Sequence, residues 1–295
     1  MDLSILTSYT FLVVCFGTMI LASVAGMIGA VTVLKGQSLI GDAIGHSSYP
    51  GVIIAFMIGM ALDPVLLLIG ATLSGTLAFV LVQFIDVNSK LNLDAILATV
   101  LSAFFGLGMV LKSYIQGHPI YVKVPQGGLQ NYIFGQAAFI RLVDVQLIFV
   151  VAIPSIFLLI LFYKEFKLFV FDEIYAKSIG LSPSMMYIIM VLMIMGVIAT
   201  GLKFVGAILI SSFLIVPAIT AMQWSNRFNR VLLIAAGVGS FSSFIGTYLS
   251  SVYAGMSTGP SIILAMSCIA FLSMIIGPHG LIASKIRRRE FLADN

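Results

Sequence analysis

Charge is scarce in this sequence. Of 295 residues only 15 are Lys or Arg and 11 are Asp or Glu, 9% of the chain, where a soluble domain carries about 25%. So few ionisable groups cannot hydrate the surface of a soluble fold of this length, which excludes a water-soluble enzyme or binding domain. Cysteine is nearly absent as well. Cys15 and Cys268 both fall inside apolar runs, so a disulfide framework is excluded and both read as small core residues. No G-x-x-x-x-G-K-[ST] loop occurs, so the chain is not expected to be an enzyme that hydrolyses nucleotide by itself. A basic n-region is missing too: "MDLSILTSYTF" has an acid where a signal peptide needs positive charge, and the first apolar run is expected to remain as a span. The formal net charge of +4 is spread between apolar runs rather than gathered on a soluble face, so no nucleic-acid partner is expected.

What is abundant is hydrocarbon. Hydrophobic residues make up 60% of the chain and mean hydropathy is +1.15, the composition of a multi-pass membrane protein. Windows of about 20 apolar residues mark helices able to cross a bilayer. Nine such windows occur, near 9–34, 38–61, 64–85, 93–115, 143–163, 184–201, 204–222, 231–254 and 260–278. Only "LK" separates the sixth from the seventh, so one of them reads equally as a broken or re-entrant element. The expected fold is all-α, with eight to nine transmembrane helices forming one domain over 1–295. With the C-terminus cytoplasmic, eleven Lys and Arg face inward, among them Lys35, Lys177, Arg227 and the "KIRRRE" anchor at 285–290. Four face outward (Lys112, Lys123, Arg141, Lys203), so the positive-inside rule sets this orientation and puts the N-terminus outside.

The stretch "GDAIGHSSYPGV", 41–52, breaks the apolar pattern. Asp42 and His46 are spaced i, i+4 and share one helix face. Counting helical rise from Lys35 at the cytoplasmic edge puts His46 roughly 16 Å along the axis, near the middle of a ~30 Å core. Ionisable groups at that depth face a bundle interior or a polar path. Gly41 and Gly45 allow a close helix neighbour. Pro50 has no N–H to give the carbonyl of His46. A carboxylate and an imidazole together suit Mn²⁺, Zn²⁺ or Fe²⁺. Two readings follow: Asp42 and His46 are metal ligands on a transport path, or they pair with each other as structural glue.

Four stretches carry a family resemblance: "LIGDAIGHSSYPGVIIAF", "GLQNYIFGQAAF" at 128–139, "FDEIYAKSIGLSP" at 171–183 and "FVGAILISSFLIVPAITA" at 204–221. In this order, over about 9–282, the sequence resembles the metal-ion permease subunits of ATP-binding-cassette importers, the manganese, zinc and iron group. The resemblance implies a type II ABC importer-like permease working as a homodimer or as one of a related pair. It also implies a path at the dimer interface, an ABC ATPase docked on the cytoplasmic side and an extracytoplasmic metal-binding protein that delivers cargo. It assigns the metal path to Asp42 and His46, with no tightly bound cofactor. One departure is Gly45, where this group often has serine. The "YIFGQAA" wording is most similar to the manganese subgroup.

Residues 164–183 resemble the family's cytoplasmic coupling segment. There Glu173, Ala176 and Gly180 are spaced i, i+3 and i+7 on one face of a short helix. Asp172 and Glu173 suit its N-terminus and Gly180 its end. Such a face seats in a groove on a partner, or the helix rests on lipid headgroups. His118, His279, Asp94 and Asp144 read as loop, capping or helix-start residues, and the methionines of "MMYIIMVLMIMG" as core. The alternative function is a stand-alone secondary cation transporter, which normally shows several intramembrane carboxylates or paired broken helices. This chain has one clear mid-span carboxylate.

Overall fold

The computed structural model describes residues 3–130, 132, 135, 137–253 and 255–283. Its first helices are α1 (Tyr9–Leu34), α2 (Ile40–Ser47), α3 (Tyr49–Gly59), α4 (Pro64–Asn88), α5 (Leu93–Gly117) and α6 (Leu142–Leu161). There follow α7 (Tyr163–Phe171), α8 (Glu173–Ser178), α9 (Pro183–Phe204), α10 (Ala207–Met222), α11 (Phe228–Val252) and α12 (Thr258–Ile276). Among the described residues seven of these are long and apolar enough to cross a membrane: α1, α4, α5, α6, α9, α11, and α12 with its continuation to Ala283.

The two expected spans that depart from this pattern do so for local reasons. The window 38–61 is two helices, α2 and α3, because Pro50 lies in the first turn of α3, where its missing N–H costs nothing. The window 204–222 shortens to the 16 residues of α10, since Gly206 turns the chain at φ +87° between α9 and α10. The start of α2 also moves. Gly36, at φ +77°, closes α1 in a Schellman turn in which Gln37 N–H reaches the Thr32 carbonyl at 2.9 Å. Lys35 to Leu39 are therefore not helical rise, and from Ile40 to His46 the axis advances only about 9 Å.

Contacts divide the chain into two compact units, each built from separated stretches. The first holds 1–38, 140–190 and 212–295. Its centre is α1 against α11, packed through small residues so that backbones meet. Gly239 of α11 lies against the Ala22 carbonyl of α1, and Gly29 of α1 against the Leu214 carbonyl of α10, leaving no room for a Cβ at either glycine. Thr18 and Thr247 hydroxyls meet at 3.3 Å inside this packing. Asp144 caps the start of α6, accepting from Arg141 N–H at 3.0 Å.

The second unit holds 39–139 and 191–211. Here α3 crosses α4 glycine on glycine: Gly51 abuts the Gly70 carbonyl and Gly70 the Gly51 carbonyl. Gly135, at φ +75°, seats against the carbonyls of Phe204 and Val205, which accounts for the glycine of the "IFG" stretch. Its neighbours Asn131, Ile133, Phe134 and Gln136 lie outside the described residues, as does the basic anchor at 285–290. Only 28% of the apolar window of α4 and 22% of that of α5 is buried, against 67% for α1. Their outward stripes, Val65, Ile69, Leu73, Leu77 and Phe84 on α4, form an apolar surface that suits hydrocarbon and not water.

Cys15 is buried, as the sequence implies, but Cys268 is exposed. Position 268 falls on the outward side of α12, where an apolar run does not require burial. The methionine run is largely core: Met186, Met190, Met193 and Met195 are buried, while Met185 is exposed.

Candidate functional site

The helix α2 is eight residues long, with Asp42 in its first turn and His46 in its last. Their facing atoms, Oδ1 and Nε2, are 3.6 Å apart. That is too long for a hydrogen bond. It is close to the separation of about 3.4 Å that two ligands reach when each bonds one tetrahedral ion at ~2.1 Å. Asp42 is the more open of the two, its side chain 32% exposed against 14% for His46. The imidazole stands edge-on to Phe105 of α5, ring centres 4.9 Å apart, and the same ring leans on Tyr49 at 6.1 Å.

The stretch around the helix break carries further polar atoms. Among the described residues, His46 Nδ1, Ser47 Oγ and Tyr49 Oη are buried and have no hydrogen-bond partner. Such groups cost free energy when left unpaired inside a protein. The carbonyl next to the break that gains a side-chain donor is that of Ser47, which accepts from Ser74 Oγ of α4 at 2.6 Å. Ser48 Oγ turns back to the Ile44 carbonyl at 2.8 Å. Gly45 contributes little to close approach, since a Cβ there would meet Ile210 at an ordinary 3.4 Å. Close approach is instead the work of Gly51 and Gly70. Among the described residues no group of three or more His, Cys, Asp or Glu side chains gathers at one point. Further ligands drawn from this unit would therefore be hydroxyls, carbonyls or water.

Glu173, Ala176 and Gly180 belong to the other unit. Asp172 starts α8 by accepting from Tyr175 N–H at 2.9 Å. Gly180, at φ +85°, ends it, with its N–H on the Lys177 carbonyl and Leu181 N–H on that of Ala176. Ala176 is fully buried in the chain's own packing, whereas Ile174, Tyr175 and Ile179 are exposed. Glu173 is held from two sides, by Lys35 Nζ at 2.8 Å and Lys177 Nζ at 3.0 Å. The hydrogen bonds from Lys35 and then Lys177 keep its carboxyl below the ordinary glutamate value. Lys35 also donates to the Phe169 carbonyl at 2.8 Å and lies 4.3 Å from the Phe169 ring centre.

Tyr49, Phe105 and Ser74 were not marked by sequence reasoning, nor was the Lys35–Glu173 contact. Tyr49 stands inside the polar stretch itself, and its position next to Pro50 was a usable signal. Phe105 and Ser74 look like any other residue of an apolar span. His118 packs between Tyr114 and Tyr121, at 5.1 and 5.3 Å between ring centres, and its Nδ1 accepts from Ile120 N–H at 3.3 Å.

Residues 8–277 match the family described as the ABC 3 transport family. The manganese transport system membrane protein MntC of Bacillus subtilis is 39% identical over 272 residues, covering 92% of this chain and 62% of that protein. The zinc transport system membrane protein TroC of Treponema pallidum is 35% identical over 285 residues, covering 96% and 95%. Among solved structures, PsaBC from Streptococcus pneumoniae in complex with Fab superposes with a TM-score of 0.80 at 28% identity, over 92% of this chain and 93% of that one.

Proposed function

The chain belongs to the ABC 3 transport family, and from that premise we propose that it is the permease subunit of an ATP-driven importer for a divalent transition metal. Manganese is the first choice and zinc or iron the next. Relatives named for manganese and for zinc both align over nearly the whole chain, and an oxygen-plus-nitrogen ligand pair accepts all three ions. Hydrolysis of ATP falls to a separate subunit, and an extracytoplasmic metal-binding protein hands over the cargo. The permease is one multi-pass domain in the cell membrane, paired with a second copy or a related chain. The α2–α3 pair and α10 complete its nine crossings, with the C-terminus inside and the N-terminus outside.

The observation that carries this reading is the Asp42–His46 pair at 3.6 Å, in a stretch where His46 Nδ1 and the hydroxyls of Ser47 and Tyr49 are buried without a hydrogen-bond partner among the described residues. A pair meant only as glue would close to hydrogen-bond distance and leave fewer atoms unpaired. The cation exchanges part of its hydration for Asp42 and His46, and few ligands per protomer let it leave again. On the inner side 164–183 meets the ATPase, with Glu173, Ala176 and Gly180 shaping α8 so that Ile174, Tyr175 and Ile179 point outward.

Radioactive manganese uptake by cells carrying Asp42→Ala or His46→Ala tests this. Each variant is expected to lose at least the roughly 100-fold that removing a supporting residue costs a metal site, while inserting and assembling normally. Wild-type uptake in both variants would return the pair to the role of glue. Competition among the three metals ranks the cargo.

A further inference from the structure

We propose that Lys35 is a positioning residue for transport: it ties α8 to the chain that leads into the Asp42–His46 pair, so that a displacement of the cytoplasmic segment is handed on through the Lys35–Glu173 contact. The proposal rests on the permease reading and adds to it the element that moves with α8.

Lys35 stands at the C-cap of α1, where a cation also meets the negative end of the helix. Its side chain is only 14% exposed. The ammonium is engaged by Glu173 Oε2, the Phe169 carbonyl and the Phe169 ring, so it holds the end of α7 and the start of α8 together. On the far side of Glu173, Lys177 secures the other carboxylate oxygen. The short helix is closed at both ends, by Asp172 and Gly180, and Ala176 anchors it in the interior.

Beyond Lys35 the chain is hydrogen-bonded as far as Gln37. Gly36 N–H bonds the Val33 carbonyl and Gln37 N–H that of Thr32. Helix α2 begins at Ile40, and Asp42 is in its first turn. Asp42 is therefore seven positions along the chain from the clamped Lys35. A force on α8 is resisted first at Lys35. A local staple would account for the same distances but would not affect how ATP hydrolysis is converted into transport.

The complete complex, reconstituted in vesicles with its ATPase, separates the two through the number of metal ions moved per ATP hydrolysed. Lys35→Gln is expected to co-purify with the ATPase yet to lower that ratio about fivefold, within the range by which residues remote from both ligands alter coupling. Glu173→Gln should lower it similarly, and the double variant should be no worse than either single one. Lys35→Arg should keep the wild-type ratio. Unchanged ratios in both single variants overturn the proposal, as do additive losses in the double variant, or lower yields of folded complex with an unaltered ratio. If the unaltered chain holds no ATPase, the permease reading falls and this proposal with it.

Discussion

Around Glu173 both carboxylate oxygens are bonded and the nearest ammonium has three partners, whereas in the stretch 46–49 three buried polar atoms have none among the described residues. Both clusters are islands in an apolar chain, and both join residues that sequence spacing marks as polar and close to a helix end. One is saturated and the other is left open. A saturated cluster holds two segments in one arrangement, and any ligand would have to displace a bond already made. An open cluster carries a standing penalty that a ligand would remove. The difference separates a tie already made from polar groups still free to bond, as the proposed metal path requires.

The comparison breaks most readily at Lys35. Replacing the ammonium with Lys35→Met leaves Glu173 Oε2 and the Phe169 carbonyl short of a donor, and because the Glu173 side chain is 39% exposed the cost should be about 2 kcal/mol, between that of an exposed pair and that of a buried one. Thermal unfolding of the purified chain in detergent measures it, and a loss below about 1 kcal/mol would place the tie among ordinary surface pairs.

A smaller effect is expected from acid. The hydrogen bonds of Lys35 and Lys177 hold the Glu173 carboxyl below its ordinary 4.5. The folded-state value thus lies under the unfolded one, so this contribution is complete above 4.5 and fades as pH falls through the depressed value. Unfolding profiles should be insensitive to this group at neutral pH and should decline below 4.5. Glu173→Gln should flatten that decline, and an unchanged acid limb in the variant would contradict the assignment.

The smallest change belongs to the open cluster. Tyr49→Phe removes a buried hydroxyl that bonds nothing among the described residues, so stability should hold within about 1 kcal/mol or rise slightly. A drop in metal uptake at unchanged stability would make that hydroxyl a contact for the cargo. Unchanged uptake would confine Tyr49 to packing against Phe105.

Much of this architecture was legible from hydropathy. The windows 9–34 and 93–115 differ little from Tyr9–Leu34 and Leu93–Gly117, because a hydrocarbon slab demands apolar runs of fixed length. The Asp42–His46 pair was legible because its spacing is local. The break at Ser48 was only half legible: Pro50 announced a disturbed carbonyl, but the one that gained a hydroxyl was Ser47's, through Ser74 on another helix. Lys35 and Glu173 lie 138 positions apart, and nothing in either neighbourhood names the other. The Gly51–Gly70 crossing was hidden for the same reason, since glycine is common in spans and only the partner backbone tells which one is in contact.

The space beside Gly45 has an evolutionary side. A side chain begun there meets only ordinary contacts, while one begun at Gly51 or Gly70 collides with backbone. One flank of the polar site is therefore frozen by the helix crossing and the other is open to selection. A serine at 45, whose Cβ would meet Ile210, Ala207 and Ile198 at ordinary distances, could be introduced by a single codon while the fold stays as it is.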